Sequence, residues 1–312
     1  MIINSILVIF GLLLLLYCAD RMIIFADTIA KEFSLSPILV GLTIVAFGTS
    51  APELVITIVA SLKDIPVTDA IIGNVIGSNV ANLILILGVS ALFFNIDLGQ
   101  IKNATNAFLF FITFYFAFIF FIDTSFGFIF SVGFFIFLIG FIYYLKNYQS
   151  EITDEDENNE IGFQRSIYIK LMLTFIGIFI GGKLFLDNSL DLFKYLGLQE
   201  TVIGVSVLAI GTSLPELATV ILAYIKKKGA IGIGNVIGSN IMNILFVFFP
   251  GLLIIQSRGL TFNIPENSIL HIYALLLSTI TIIILSLFKI KIGKVVALIF
   301  TGSYATYIWY IV

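Results

Sequence analysis

The sequence predicts an all-α integral membrane protein with ten transmembrane helices in two inverted-topology repeats of five. Three observations predict it: apolar runs of bilayer-spanning length, two motifs that recur at a near-constant offset, and an odd number of spans in each half. Hydrophobic residues make up 60% of the 312 residues and charged residues 11%, with a mean hydropathy of +1.13. Soluble domains carry about 25% charged residues, so this chain has too few charges to coat itself against water. Its single cysteine, Cys18, excludes an internal disulfide and a thiolate metal cluster, and its single histidine, His271, excludes a histidine-rich metal site. The net charge of −3 says little about partners, and no nucleic-acid partner is expected.

A helix needs about 20 mostly apolar residues to cross a bilayer. Spans are expected at 2–24, 37–62, 69–94, 104–122, 125–145, 167–186, 200–225, 230–255, 267–288 and 293–312. Each is read as helix because lipid offers no partner to an open backbone. The first apolar run, Ile2–Ala19, lacks the basic leader of a cleavable signal and reads as the first span.

Residues 146–165, "KNYQSEITDEDENNEIGFQR", form the substantial polar segment and halve the chain. They read as a solvated linker, because the Gly turn and ligand spacing of an EF-hand are missing. The expected organisation is a first repeat at 1–145, an acidic linker at 146–166 and a second repeat at 167–312. With both termini outside a cell membrane and the linker cytoplasmic, twelve Lys and Arg fall inside and four outside (Lys63, Lys183, Lys194 and Arg258), which is the usual bias.

The halves repeat. A shift of 163 residues lays "VGLTIVAFGTSAPEL" (40–54) on "IGVSVLAIGTSLPEL" (203–217), and "GNVIGSN" is identical at 73–79 and 234–240. Five spans per half send the second copy into the membrane from the opposite side, an arrangement typical of secondary transporters.

Glu53 and Glu216 are the charged residues in the middle of these motifs, each within an otherwise uncharged stretch, 33–62 and 201–225. A mid-bilayer charge costs at least about 2.5–3.5 kcal/mol on insertion scales and marks a functional position by default. The nearest cations in sequence, Lys63 and Lys226, lie ten residues on, about 15 Å along a helix. Pro52 and Pro215 lack the N–H that would bond the carbonyls of Gly48 and Gly211. The expectation is that glycine lets the backbone open there, presenting carbonyls beside the hydroxyls of Thr49 and Ser50, or Thr212 and Ser213. Carbonyl, hydroxyl and carboxylate oxygens suit hard cations such as Na+, Ca2+ or Mg2+. The second motif supplies a facing wall: Asn74, Ser78 and Asn82, and again Asn235, Ser239 and Asn243, stand at i, i+4 and i+8. Gly73–Gly77 and Gly234–Gly238 have the G-x-x-x-G spacing that lets helices approach closely.

At these two blocks the chain resembles the sodium/calcium exchangers of the cation/calcium exchanger superfamily, with their ten spans in two inverted halves. The resemblance implies Glu53 and Glu216 as central ligands, with Thr49, Ser50, Thr212 and Ser213 adding oxygens. It further implies backbone carbonyls from Ala46 and Ala209, with Ser78, Ser239, Asn82 and Asn243 closing the ring. Relatives commonly carry Asp at the position of Asn243; this chain has Asn there and at Asn82. Its centre therefore holds two acidic groups, which one Ca2+ or two Na+ would neutralise. Burying excess positive charge is expensive, so the balance argues against carrying over a three-sodium stoichiometry.

The resulting expectation is a secondary antiporter that uses inward Na+ flow to drive Ca2+ out, without a resident cofactor and without an obligate protein partner. A cation/proton exchanger, or an exchanger of another divalent ion, is the alternative within the class, since two converging carboxylates could also carry protons. A cation channel is the alternative outside it. An intramembrane enzyme lacks its motifs: neither H-E-x-x-H nor G-x-S-x-G occurs. Asp20, Arg21 and Lys183 read as interfacial or structural charges, His271 as a packed polar residue, and the 32 Phe as lipid-facing and packing residues.

Overall fold

A computed structural model describes residues 2–122, 125–150, 165–195, 211–265 and 268–311. Helix α1 runs over Ile2–Glu32, eight residues past the expected end at 24. Nothing in Arg21–Glu32 breaks a helix, and charges in the last third of α1 reach partners: Asp20 pairs with Lys226 at 2.8 Å, and Asp27 with Lys228 at 2.7 Å and Lys31 at 3.2 Å. The second span is broken. Helix α2 (Pro37–Val40) starts on the side chain of Ser36, which accepts from the Leu39 N–H, with Pro37 in the first turn. It widens into a π turn at Gly41–Val45, continues as α3 (Ala46–Thr49), and resumes as α4 (Ala51–Leu62) after a 46° bend.

Helix α5 (Thr68–Val80) passes through a π turn at Ala81–Ile86 into α6 (Leu87–Phe93). Helices α7 (Asn103–Ile122) and α8 (Phe128–Ser150) follow, then α9 (Arg165–Tyr195). Of the acidic linker, residues 151–164 lie outside the described residues. Helix α10 (Leu214–Ile225) leads to α11 (Gly229–Met242), a π turn at Asn243–Phe248, and α12 (Phe249–Ser257). Pro250 lies in the first turn of α12, where its missing N–H is tolerated. Helices α13 (Ser268–Leu287) and α14 (Lys294–Ile311) complete the chain.

Among the described residues, seven helices are long and apolar enough to cross a membrane, or eight if the bent pair Pro37–Thr49 and Ala51–Leu62 is one span. The protein is an all-helical, multi-pass membrane protein. The spans built on α5 and α11 are 78% buried within the protein, whereas that of α8 is 17% buried. The helices carrying the "GNVIGSN" blocks are therefore the centre of the bundle.

Two short antiparallel pairings tie the loops together. Strand β1 (Ile96–Asp97) pairs with β4 (Lys291–Ile292), and β2 (Ser125–Phe126) with β3 (Phe262–Asn263). Phe248 packs between the second pairing and the helices, its ring 4.8 Å from Phe116, 4.9 Å from Phe126 and 5.3 Å from Phe262. Edge-on packing of this kind is favourable beyond area burial. Many of the phenylalanines thus pack internally, while Phe111, Phe128 and Phe135 are exposed apolar rings suited to lipid.

Hydrophobic burial divides in two. The larger cluster joins α2 to α8 and α10 to α14. A smaller one joins α1 and α9 to the flank of the second span, α10 and Ile231. Helices α1 and α9 touch backbone to backbone: a Cβ on Gly11 would sit 2.8 Å from the Gly181 carbonyl oxygen, and one on Gly181 would sit 2.7 Å from Leu15 N.

Candidate cation site

The site begins with two interrupted helices. Ser50 (φ −81°, ψ 5°) and Ser213 (φ −89°, ψ 6°) both leave the helical region, and a fresh helix starts at the next residue. Proline occupies the second position of each new helix, where its missing N–H is not needed. Glu53 and Glu216 follow as third residues. Each carboxylate therefore sits at the positive end of a helix, which favours a negative charge. The same two glycines act differently from expectation. Neither Gly48 nor Gly211 adopts a positive φ; a Cβ on Gly48 would lie 2.2 Å from the Phe175 ring, and one on Gly211 2.3 Å from Leu186 Cδ1. Proline makes the break, and glycine makes room for α9 to lie against it.

Glu53 and Glu216 are both 0% exposed and repel one another across the centre. The Glu216 carboxylate lies beside Thr49, Ser50 and Ser239, so it faces the opposite half of the chain. That proximity does not complete a hydrogen bond, because the Thr49 hydroxyl donates instead to Asn235 Oδ1 at 3.0 Å and to the Ala46 carbonyl at 3.3 Å. Thr49 Oγ1 and Ser239 Oγ lie 3.4 Å apart. The Ala46 carbonyl also accepts the Ser50 N–H at 3.0 Å.

The asparagine stripes close the centre. Asn74 donates to the Glu53 backbone carbonyl at 2.9 Å and to Thr57 Oγ1 at 3.2 Å, holding α5 against α4. Ser78 donates to the Asn74 carbonyl, and its oxygen accepts from Asn243 Nδ2 at 3.2 Å. Asn82 and Asn243 are fully buried in the adjoining π turns. Thr212 and Ser213 are buried as well. Ala209 lies outside the described residues. The second G-x-x-x-G works as expected: Cβ atoms on Gly234 and Gly238 would meet the Ile38 and Leu42 carbonyl oxygens at 2.3 and 2.5 Å. Gly73 has nothing within 4 Å of its Cβ position, so the first copy makes no comparable approach there.

A concentration of unpartnered oxygen distinguishes this region. Both oxygens of Glu53 and of Glu216, Oδ1 of Asn82, Asn240 and Asn243, and Oγ of Ser50 and Ser213 are buried without a hydrogen-bond partner within the protein. An unpaired buried polar group costs about 1–3 kcal/mol, and a charged one more. Coordination to a hard cation is one way such oxygens can be satisfied. Among the described residues no three of His, Cys, Asp and Glu gather into a metal-holding group, so the remaining donors are neutral oxygens. The chemistry of such a set suits alkali and alkaline-earth ions rather than soft transition metals.

Two residues of the "GNVIGSN" blocks outside the expected ligand ring, Asn79 and Asn240, also sit here, buried between α5 and α11. Their signal was in the sequence: both lie in the seven-residue identity. Asp20, Arg21, Lys183 and His271, away from this centre, have partners of their own, Arg21 lying over the Tyr17 ring. His271 Nδ1 is 2.8 Å from Tyr307 Oη, Asp20 pairs with Lys226, and Lys183 with Asp187 at 3.0 Å.

A family model described as sodium/calcium exchanger protein matches residues 3–146 and 166–312. The sodium/calcium exchanger MaX1 of Methanosarcina acetivorans is 33% identical over 311 residues, covering 84% of this chain and 87% of that protein. The inner membrane protein YrbG of Escherichia coli is 29% identical over 264 residues, covering 81% of each. The solved structure of the sodium-calcium exchanger NCX_Mj, soaked with 10 mM Na+ and zero Ca2+, superposes with a TM-score of 0.79 at 29% identity, covering 98% of this chain and 97% of that one. With both halves matched around a buried, oxygen-lined pair of glutamates, the chain belongs to the sodium/calcium exchanger family.

Proposed function

We propose that this protein is a secondary antiporter exchanging Na+ for Ca2+ by alternating access. The observation that carries the proposal is the pair of fully buried glutamates at the heads of two interrupted helices, ringed by unpartnered oxygens. Glu53 and Glu216 supply the charge. Thr49, Ser50, Thr212, Ser213, Ser78, Ser239, Asn82 and Asn243, with carbonyls of Ala46 and Ala209, supply neutral oxygens. Na+ and Ca2+ compete for them, because both are hard cations of similar size. Coupling follows from electrostatics: with its ions bound the centre is near neutral and can pass between the two access states, whereas bare carboxylates meeting an apolar barrier cannot. Movement falls to α1 and α9, which pack as a separate cluster against the larger core.

The architecture proposed with it is ten spans in two inverted repeats, 1–145 and 167–312, joined by a cytoplasmic linker at 146–166, with both termini outside a cell membrane. The loop pairings support the inverted repeat. Shifting by 166 residues takes Ile96–Asp97 to Phe262–Asn263 and Ser125–Phe126 to Lys291–Ile292, so β1 pairs with β4 as β3 pairs with β2. The π turns at Ala81–Ile86 and Asn243–Phe248 correspond by a shift of 162. A twofold axis in the membrane plane generates such correspondences.

The test is flux in proteoliposomes with Na+, proton and K+ gradients imposed separately. Ca2+ uptake that follows the Na+ gradient and ignores the pH gradient is the expected result. Uptake driven by protons alone would make the protein a cation/proton exchanger, and Ca2+ flow only down its own gradient would make it a channel.

A further inference from the structure

We infer that Asn79 is a positioning residue that turns the Asn243 amide so that its carbonyl oxygen, and not its NH2 group, faces the transported cation; this rests on the cation-exchange reading. The inference comes from a chain of hydrogen bonds whose direction is forced at each step. Asn79 Nδ2 donates to the Asn240 backbone carbonyl at 3.2 Å. A carbonyl can only accept, so Asn79 must present its NH2 there and its Oδ1 on the opposite side. On that side Asn243 Nδ2 donates to it at 3.0 Å.

The second neighbour gives the same instruction. Ser78 uses its one hydroxyl proton on the Asn74 carbonyl, so its oxygen is an acceptor for Asn243 Nδ2 at 3.2 Å. With two acceptors on one side, Asn243 has one favourable amide orientation. Its Oδ1 is left buried and without a partner in the protein. The opposite orientation would set oxygen against two oxygens and aim NH2 at the cation.

The repeat supplies an internal contrast. Asn240 has the same place in an identical block, yet its Nδ2 turns back to the Val236 carbonyl of its own helix at 2.8 Å. Asn82, the counterpart of Asn243, has neither side-chain atom partnered. One of the two equivalent asparagines is therefore locked in orientation and the other is not. The lock lies in the contact between α5 and α11, which the motif alone does not specify.

The experiment is a double-mutant cycle read by calorimetric Ca2+ binding to the purified, full-length protein in Na+-free detergent. In the wild-type background Asn79→Leu, close in volume and unable to hydrogen-bond, is expected to weaken Ca2+ binding about tenfold, equivalent to 1.4 kcal/mol. In an Asn243→Ala background the same change is expected to alter binding by less than about twofold, because residues acting through one another are not additive. Equal losses in both backgrounds would make Asn79 a packing residue and overturn the inference, as would unchanged binding in the wild-type background. Should Asn79→Leu lose its monodisperse elution, Asn79→Ser carries the same cycle with the same two criteria. Because the cycle reads binding, it is separate from Na+-driven flux, whose absence would refute the exchange reading and leave the Asn79 result decisive.

Discussion

Replacing Glu53 by glutamine separates two consequences of one buried charge, and they have opposite signs. Glu53→Gln keeps the size and one oxygen of the side chain and removes a unit charge from a position that is 0% exposed. Two unit charges 4 Å apart attract by about 4 kcal/mol at an effective dielectric of about 20, and a divalent ion doubles that. Setting half of the total against the easier desolvation of an amide leaves a loss of about 4 kcal/mol, or about 10³-fold in Ca2+ affinity. A ligand at 1,000 times its dissociation constant stabilises the protein by about 4 kcal/mol; after a 10³-fold loss the same concentration yields about 0.4 kcal/mol. The ion-free protein should respond the other way. Glu53 and Glu216 repel each other, and neither has a hydrogen-bond partner in the protein, so removing one charge relieves repulsion and desolvation together. The helix N-terminus favours a carboxylate at this position by only about 0.3–1 kcal/mol. Thermal unfolding in detergent, with and without saturating Ca2+, reads both effects. Glu53→Gln should melt higher than the wild type without ions and gain almost nothing from Ca2+. A lower melting temperature without ions, or an undiminished Ca2+ shift, would refute the electrostatic account of the site.

Gly238→Ala should cut Na+-driven Ca2+ uptake at least tenfold, because its Cβ would meet the Leu42 carbonyl oxygen at 2.5 Å and Ala46 Cβ at 2.8 Å; Gly73→Ala, with nothing within 4 Å, should leave uptake close to wild type in the same vesicles. Arg258 Nη1 donates to the carbonyls of Ser61 and Lys63 at 2.7 and 2.8 Å, closing the end of α4. Arg258→Gln should therefore lower thermal stability by about 1.5–3 kcal/mol, the range for hydrogen bonds to charged groups, with Ca2+ affinity unchanged by calorimetry. Asp27→Asn breaks the pairs with Lys228 and Lys31, both partly exposed. Its cost should be about 0.2–1 kcal/mol and should shrink when the melting curves are repeated in 1 M salt.

Much of the site was legible from residue types alone. A carboxylate directly after proline in an uncharged span has few structural readings, and finding it twice at a fixed offset left fewer. The wall of asparagine and serine followed from i, i+4 spacing, and α1 and α9 were placed as spans by length. The function of the glycines was not legible. Gly48 and Gly211 suggested a backbone that opens, whereas their lack of a side chain accommodates Phe175 and Leu186 from α9, a helix more than a hundred residues away from Gly48 in sequence. The two G-x-x-x-G pairs looked equivalent, yet Gly234 and Gly238 press on the second span while Gly73 presses on nothing. The end of α1 was missed because its charges looked like a terminus, and their partners, Lys226 and Lys228, lie about two hundred residues away in sequence.

By itself, the sequence determined that this chain lives in lipid, that its halves echo one another, and that each half brings one carboxylate to a broken helix. Those features are local: they follow from hydropathy, from proline's missing donor and from helical periodicity, all set within a few turns. Only the tertiary structure decided which oxygens remain unpartnered and which way the Asn243 amide points. Identical heptapeptides face different neighbours once α5 and α11 cross, and a hydrogen bond's direction depends on both of its ends.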